Sequence, residues 1–214
     1  MSVYFFDAYG TLFDVHAAVR RHAETVGPQA DALSALWRAK QLEYSWVHAL
    51  SGRYTDFRTL TAQALDFAFH SVPDANHDAY DALLDAYMTL DAYPEVADVL
   101  ARLKERGTTG ILSNGSPDML HAAVDHAGLT DLLDHILSVE DVRTFKTRPE
   151  TYKMMTKAAG CEPSDIRFHS SNRWDIAGAT WFGCRCTWVN RTGQPDEYED
   201  GAPERVVRDL KEVL

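Results

Sequence analysis

Asp7 is the residue on which chemistry in this chain would turn. It closes the apolar run of FFDAYGTLF (residues 5–13), just ahead of a Gly-Thr turn, and Tyr9 rather than a second acid stands two residues on. Other short apolar runs also end in polar groups, at Ser113-Asn114 and at Ser170-Ser171-Asn172, the latter followed by Asp175. In an open parallel sheet, ligands bind beyond the carboxyl ends of the strands. If these runs are such strands, Asp7, Ser113, Asn114 and Ser170 to Asn172 share one crevice. Lys146, after the third run, could reach it too. A carboxylate, an ammonium and several hydroxyl and amide groups then converge. A lone acid in that company is either a strand-end cap or a reacting group.

The elements that must position these residues are legible from periodicity. Short apolar strands are expected at Val3–Phe6, Thr109–Leu112, His135–Ser138, Ile166–His169 and Cys184–Val189. Between them, Val96, Val99, Leu100 and Leu103 recur at helical spacing, with Gly107 as the expected stop. Ser116 can cap a helix that starts at Pro117 and closes at Gly128. Strands alternating with helices give an α/β fold with a parallel sheet. Residues 15–91 break that rhythm and read as helix after helix, an insertion after the first strand. The expected division is a core of 1–14 and 92–214 and a helical cap of 15–91. Within the cap, Leu33, Leu36, Trp37, Tyr44 and Val47 form one stripe at 100° per residue, and Ala35, Arg38, Leu42, Trp46 and Ala49 an opposite one. A helix apolar on two sides is expected to be sandwiched. Arg38 is then a lone cation on an apolar face, either snorkelling to water or serving a site.

Composition bounds the partners. The 214 residues carry a formal charge of −11, which leaves no basic footprint for nucleic acid or an anionic membrane. A small anionic substrate is compatible, since one buried cation can outweigh a distant surface. No apolar run approaches the roughly 18–20 residues that span a bilayer. MSVYFFD has neither a basic n-region nor an h-region, so no secretory leader is expected. Cys161, Cys184 and Cys186 suggest reduced thiols and a cytoplasmic location rather than a disulfide framework. Neither they nor the histidines, His16 and His169 among them, show ligand spacing, so no metal is expected. Asp196–Asp200 reads as a solvated acidic loop.

The order Asp, Ser, Lys, Asp resembles the haloacid dehalogenase superfamily, and within it the L-2-haloacid dehalogenases. The resemblance rests on DAYGTLFDV (7–15), LWRAKQLEYSW (36–46), LSNGSP (112–117), FKTRPETY (145–152) and SSNRWDIAGA (170–179), which span most of the chain in the family's order. It implies a Rossmann-like parallel sheet core with an inserted helical cap domain, in agreement with the reading above. Superfamily phosphatases carry a second aspartate two residues after the nucleophile, as general acid for an alkoxide, and bind Mg²⁺. Here Tyr9 holds that position, and Ser171 stands where phosphatases often place a Mg²⁺-binding aspartate. Halide needs no proton to leave. A hard divalent cation wants several anionic oxygens, and Lys146 can supply positive charge instead. No cofactor is therefore expected.

The resemblance further implies a two-step hydrolysis of short L-2-haloalkanoates to D-2-hydroxyacids and halide. Asp7 displaces halide to form an aspartyl ester, which water then cleaves. Lys146 pairs with Asp7 and keeps it ionised. Thr11 and Ser170 hydrogen-bond around the nucleophile, while Asn172 and Asp175 orient or activate the water. Ser113, with backbone groups near Ala8 and Tyr9, holds the substrate carboxylate. Arg38, Asn114 and Trp174 match the halide cradle, a setting for a weakly hydrated guanidinium and an aromatic edge. Tyr9, Leu42, Phe57, Tyr152 and Trp174 line the apolar pocket. Relatives are often homodimers, so a homodimer is expected. Three positions depart from the family pattern. Arg173 stands where a small residue is common and is expected to point outward; Ala39 follows Arg38 in place of a longer polar residue; Thr147 replaces a proline. The competing readings are a Mg²⁺-dependent superfamily phosphatase or phosphonatase, which Tyr9 opposes, and a non-catalytic binding protein using the cap crevice.

Overall fold

The computed structural model describes residues 2–214; residue 1, with which the expected core division begins, lies outside the described residues. The chain starts with β1 (Ser2–Phe6) and then passes through five α-helices: α1 (Ala17–Arg21), α2 (Ala23–Val26), α3 (Ala30–Ser51), α4 (Phe57–Ser71) and α5 (Tyr80–Met88). From there helices and strands alternate as α6 (Val96–Lys104), β2 (Gly107–Ser113), α7 (Pro117–His126), β3 (His135–Ser138), α8 (Pro149–Ala159), β4 (Ile166–Ser170), α9 (Arg173–Phe182), β5 (Arg185–Val189) and β6 (Arg205–Val207). The six strands form one parallel sheet in the order β3-β2-β1-β4-β5-β6. Strands 2 and 3 fan out on one side of β1 and strands 4 to 6 on the other. The carboxyl end of β1 is therefore where the order reverses and a crevice opens.

Residues of β1 read as an unbroken apolar run because both faces are covered: Phe5 and Phe6 are fully buried. The two chain segments that lead into and out of the helical region run side by side. Asp14 N–H donates to the Asp91 carbonyl (2.9 Å), Tyr93 N–H donates to the Leu12 carbonyl (2.9 Å), and Phe13 bridges Ala92. Pairing two crossing segments this close to β1 ties the base of the helical region to the strand that carries Asp7.

Several expectations need correction. Gly107 does not stop α6, which ends at Lys104; it opens β2, where a Cβ would overlap the Ser2 carbonyl. Cys184 precedes β5 rather than starting it, though Cys184 and Cys186 are both buried and unbridged, with burial pushing their thiols up. The three-residue β6 carries no alternation long enough to be read from sequence. The two-stripe picture of α3 does not hold: only the first half of one stripe is buried. Leu33 and Trp37 are buried, but Ala35, Trp46 and Val47 are exposed, and the inward line continues through Gln41 and Ser45. Those polar groups are satisfied internally: Gln41 donates to Thr61 Oγ1 (3.1 Å) and accepts from Tyr87 (3.2 Å). Ser45 donates to the Leu42 carbonyl (2.7 Å), and a hydrophobicity pattern cannot register buried polar groups that find partners in this way.

Candidate active site

The turn after β1 aims Asp7 into the crevice. Asp7 N–H is paired with the His169 carbonyl (2.9 Å), and the Ala8 carbonyl accepts amides from Thr11, Leu12 and Phe13, which curls the chain tightly. Gly10 lies at φ +88°, a conformation L side chains rarely adopt, and a Cβ there would sit 3.1 Å from Ser171 Oγ. Asp7 is only 5% exposed, and the two oxygens of its carboxylate are held differently. Oδ1 accepts from Lys146 Nζ at 3.0 Å. Oδ2 accepts from Asn172 Nδ2 (2.6 Å), Ser170 Oγ (3.3 Å) and Thr11 Oγ1 (3.4 Å).

Lys146 is fully buried and lies between two carboxylates, donating also to Asp175 Oδ2 at 2.8 Å. The other oxygen of Asp175 accepts from the Tyr152 hydroxyl (2.8 Å). Burial alone would discharge the lysine, but Asp175 and Asp7 outweigh it and hold the ammonium above its ordinary range. Burial likewise pushes Asp175 up to about 6, opposed by Lys146 and reinforced by Asp7. Tyr152 is held well above its usual range by burial and then by the Asp175 charge, so its phenol stays protonated and donates. Expected as a pocket wall, Tyr152 is completely buried and instead anchors Asp175. Its ring lies close enough to α9 that a Cβ on Gly178 would come within 2.5 Å of the hydroxyl. Both carboxylates face an ammonium, and among the described residues no group of three or more His, Cys, Asp or Glu side chains could hold a metal ion. The donor set does not fit Mg²⁺, which wants several anionic oxygens.

Beside Tyr9, α3 supplies Arg38 and α4 supplies Phe57, while Leu42 on α3 is half-buried. Arg38 is half-buried and makes one long bond, from Nη2 to the Tyr9 carbonyl at 3.4 Å. Tyr9 is buried with its ring against Phe57 (5.9 Å) and Tyr87 (5.6 Å), and its hydroxyl has no hydrogen-bond partner. On the β2 side, Ser113 Oγ accepts from the Gly115 amide (3.1 Å), and Asn114 Oδ1 accepts from the Lys146 amide (3.0 Å). Trp174 meets Trp46 edge-on at 5.6 Å across the seam between α3 and α9. A cavity of about 260 Å³ opens beside this pair, walled by Trp46, Leu50, Trp181 and Tyr198 and reaching Lys146 and Trp174.

Arg173 makes no hydrogen bond to Asp7, but it does not point idly outward as expected. It is buried and bonded to Asp196 Oδ1 (2.5 Å) and to the Gly201 and Tyr198 carbonyls (both 3.1 Å). Two more residues contribute: Ser171, which the sequence placed in the crevice without a role, and Arg191, which it did not mark. Ser171 N–H donates to Thr11 Oγ1 (2.8 Å), fixing the hydroxyl that reaches Asp7. Arg191, beyond β5, donates to the Thr11 carbonyl (2.9 Å) and pairs with buried Glu95 (2.7 Å). Arg191 comes from a loop, where neither period nor capping marks a residue.

Residues 1–183 match the family described as haloacid dehalogenase-like hydrolase. The chain is 46% identical over 202 residues to (S)-2-haloacid dehalogenase 1 of Pseudomonas sp. (strain CBS-3), covering 94% of this chain and 88% of that protein. It is 44% identical to (S)-2-haloacid dehalogenase 4A of Burkholderia cepacia, over 97% of this chain and 91% of the relative. Among solved structures, it is similar to the L-2-haloacid dehalogenase of Xanthobacter autotrophicus with chloropropionic acid covalently bound. That likeness has a TM-score of 0.92 at 34% identity, covering 100% of this chain and 96% of that one.

Proposed function

The chain belongs to the haloacid dehalogenase-like hydrolases, and on that premise we propose that it is an (S)-2-haloacid dehalogenase, converting short L-2-haloalkanoates to D-2-hydroxyacids and halide. One observation carries the reading: the acid at the tip of β1 is held by an ammonium, with Tyr9 where an alkoxide-protonating acid would stand. A halide leaves as a stable anion, so no such acid is required.

In the first step, an Asp7 oxygen attacks C2 from the side opposite the halogen. The C–O bond forms, the C–halogen bond breaks, and the electron pair departs with halide. Configuration at C2 inverts. Oδ1, which carries only the Lys146 bond, is the oxygen free to attack. Oδ2 then becomes the ester carbonyl, with Asn172, Ser170 and Thr11 aimed at it. In the second step water adds to that carbonyl carbon. The same three donors stabilise the negative charge that develops on Oδ2, as an oxyanion hole does. Asn172 and Asp175 orient the water and Asp175 takes its proton. The bond between the Asp7 carbonyl carbon and Oδ1 breaks, and the C2–Oδ1 bond is kept. Oδ1 leaves as the product hydroxyl with the proton that Asp175 returns, so that Asp7 is regenerated with an oxygen from water. Ser113 and the backbone at Ala8 and Tyr9 hold the substrate carboxylate. Arg38, Asn114 and Trp174 receive the halide, and Leu42, Phe57 and Tyr9 close the apolar wall.

The division into a core of 1–14 and 92–214 and a cap of 15–91 is part of this proposal, supported by the paired crossing segments. So are a homodimer, for which exposed Val47 and Leu50 on α3 and Phe67 on α4 provide apolar surface, and a cytoplasmic location, in keeping with three free thiols.

The decisive experiment is halide release from L-2-chloropropionate with EDTA present, together with single turnover in H₂¹⁸O. The expected outcome is release that Asp7→Asn abolishes, with heavy oxygen entering Asp7 and not the first molecule of product. Heavy oxygen in the product would mean that water attacks C2 directly, and the ester reading would fall.

A further inference from the structure

We propose that Arg173 is a positioning residue: by locking the first turn of α9 onto the loop at residues 196–201, it keeps the Asn172 amide on Asp7. The inference deepens the functional reading above and rests on it.

Asn172 stands at the N-cap of α9, where an asparagine side chain ordinarily accepts a hydrogen bond from an early helical amide. It makes no such bond. Its Nδ2 is turned instead onto Asp7 Oδ2 (2.6 Å) and the Tyr9 carbonyl (3.1 Å). The start of the helix thus loses its side-chain cap to the site, and an uncapped first turn is prone to fray. Arg173, the next residue, offers the compensation. Three of its nitrogens reach three different points of one loop: Nε to Asp196 Oδ1 at 2.5 Å, Nη1 to the Gly201 carbonyl at 3.1 Å, and Nη2 to the Tyr198 carbonyl at 3.1 Å. Its guanidinium also lies 5.8 Å from the Trp188 ring and 5.7 Å from the Tyr198 ring. Trp188 in turn donates from Nε1 to the Ser171 carbonyl (3.1 Å). Residues 171 and 173 are therefore both pinned to structure outside α9, and Asn172 is held between them.

The loop has little room to shift. A Cβ on Gly201 would lie 2.9 Å from the Ala177 Cβ, so the loop backbone rests directly on α9. The Arg173 side chain is 4% exposed, which leaves these partners as the groups that satisfy its charge. A lysine keeps the charge but cannot span three acceptors, since its ammonium is a point and the guanidinium a planar fork. Tyr198, held by the same fork, is also one wall of the cavity that reaches Lys146 and Trp174. The clamp thus sets both the aim of Asn172 and one wall of that cavity.

The test separates ester formation from ester hydrolysis in single-turnover reactions with L-2-chloropropionate, following halide by burst and the ester by the mass of the enzyme. Asn172 donates to the oxygen that becomes the ester carbonyl, so Arg173→Ala should slow hydrolysis about ten- to a hundredfold, the scale of a misaimed group. Halide then appears in a burst and ester-bound enzyme accumulates. Arg173→Lys should fall between Ala and wild type. Asp196→Asn, at an exposed residue outside the machinery, should shift the ratio of the two rate constants in the same direction by less, and it serves if Arg173→Ala does not fold. A merely structural role would lower the melting temperature and leave that ratio unchanged. Ratios within about twofold of wild type in both Arg173→Lys and Asp196→Asn, while wild type releases halide, overturn this inference alone. If wild type releases no halide, the functional reading fails and takes the inference with it.

Discussion

On the core side of the crevice Asp7 accepts hydrogen bonds from Lys146, Asn172, Ser170 and Thr11, and Lys146 is itself held by Asp175, which Tyr152 holds in turn. On the cap side, Arg38 makes a single 3.4 Å contact with the Tyr9 carbonyl, and Leu42 stands half-buried without a polar role. The two faces meet at the Tyr9 carbonyl, which accepts from both Arg38 and Asn172, but they are prepared to different degrees. The core presents a finished network with every charge paired. The cap presents a guanidinium with most of its donors uncommitted. Charge that is buried must be paired where it stands or it destabilises the fold, so the core network has to be complete before a substrate arrives. A half-buried guanidinium is still partly hydrated, and it can wait for an anion.

The contrast is sharpest for Lys146→Met. Removing the ammonium leaves Asp7 and Asp175 buried without a counter-charge, so halide release should fall on the order of a thousandfold, the scale of a lost charge-stabilising donor. The same change should cost about 3–5 kcal/mol of stability, the scale of breaking a buried ion pair on one side. Single-turnover halide release and denaturant unfolding measure the two effects, and full stability in this variant would break the claim that the core network is structural.

Arg38→Lys should behave differently. It retains the charge and loses the fork, so kcat/KM should fall about ten- to a hundredfold, the range of a misplaced positioning group. The melting temperature should barely move, because no buried partner is left unpaired. A drop in melting temperature as large as that of Lys146→Met would show that the cap is as prebuilt as the core.

The smallest expected effect is on pH. Burial lifts Asp175 from its ordinary 3.8 to about 6, and it must be ionised to accept a proton from water. Ester hydrolysis should therefore decline as pH falls through about 6, roughly tenfold for each further unit as a single proton binds. Stability carries the opposite sign. A folded-state value above the unfolded one means that the folded protein binds more protons between pH 3.8 and about 6, so for this residue acidification across that window stabilises the fold. Hydrolysis lost near pH 5, with no loss of folded protein attributable to Asp175, would sharpen the picture of a paired network. A flat hydrolysis rate from pH 7 to 5 would remove Asp175 as the base.

What could be read from the chain follows the same boundary between the two regions. Asp7, Ser113, Ser170 and Asn172 stand at the ends of short apolar runs, and a run that stops at Gly, Ser or Asn marks a strand end whatever packs around it. Lys146 has no such marker and entered through its place after the third strand. On α3 the reading failed because Gln41 faces inward to partners on other helices and Ser45 faces inward bonded to the Leu42 carbonyl of its own helix, while Val47 faces water. Tyr152 was expected to line the pocket and is instead fully buried, donating to Asp175; the residue type alone does not separate the two roles.

By itself the sequence determined the α/β alternation, the helical insertion, the single acid at the tip of β1 and the Tyr9 beside it, because these depend on local period, turn residues and residue identity. Only the tertiary structure decided that Lys146 bridges two carboxylates, that Tyr152 holds one of them and that Arg173 faces a loop more than twenty residues onward. Each of those is a contact between segments far apart in the chain. Its energy lies in burial and in the geometry of charged hydrogen bonds, and neither exists until the sheet has brought the segments together.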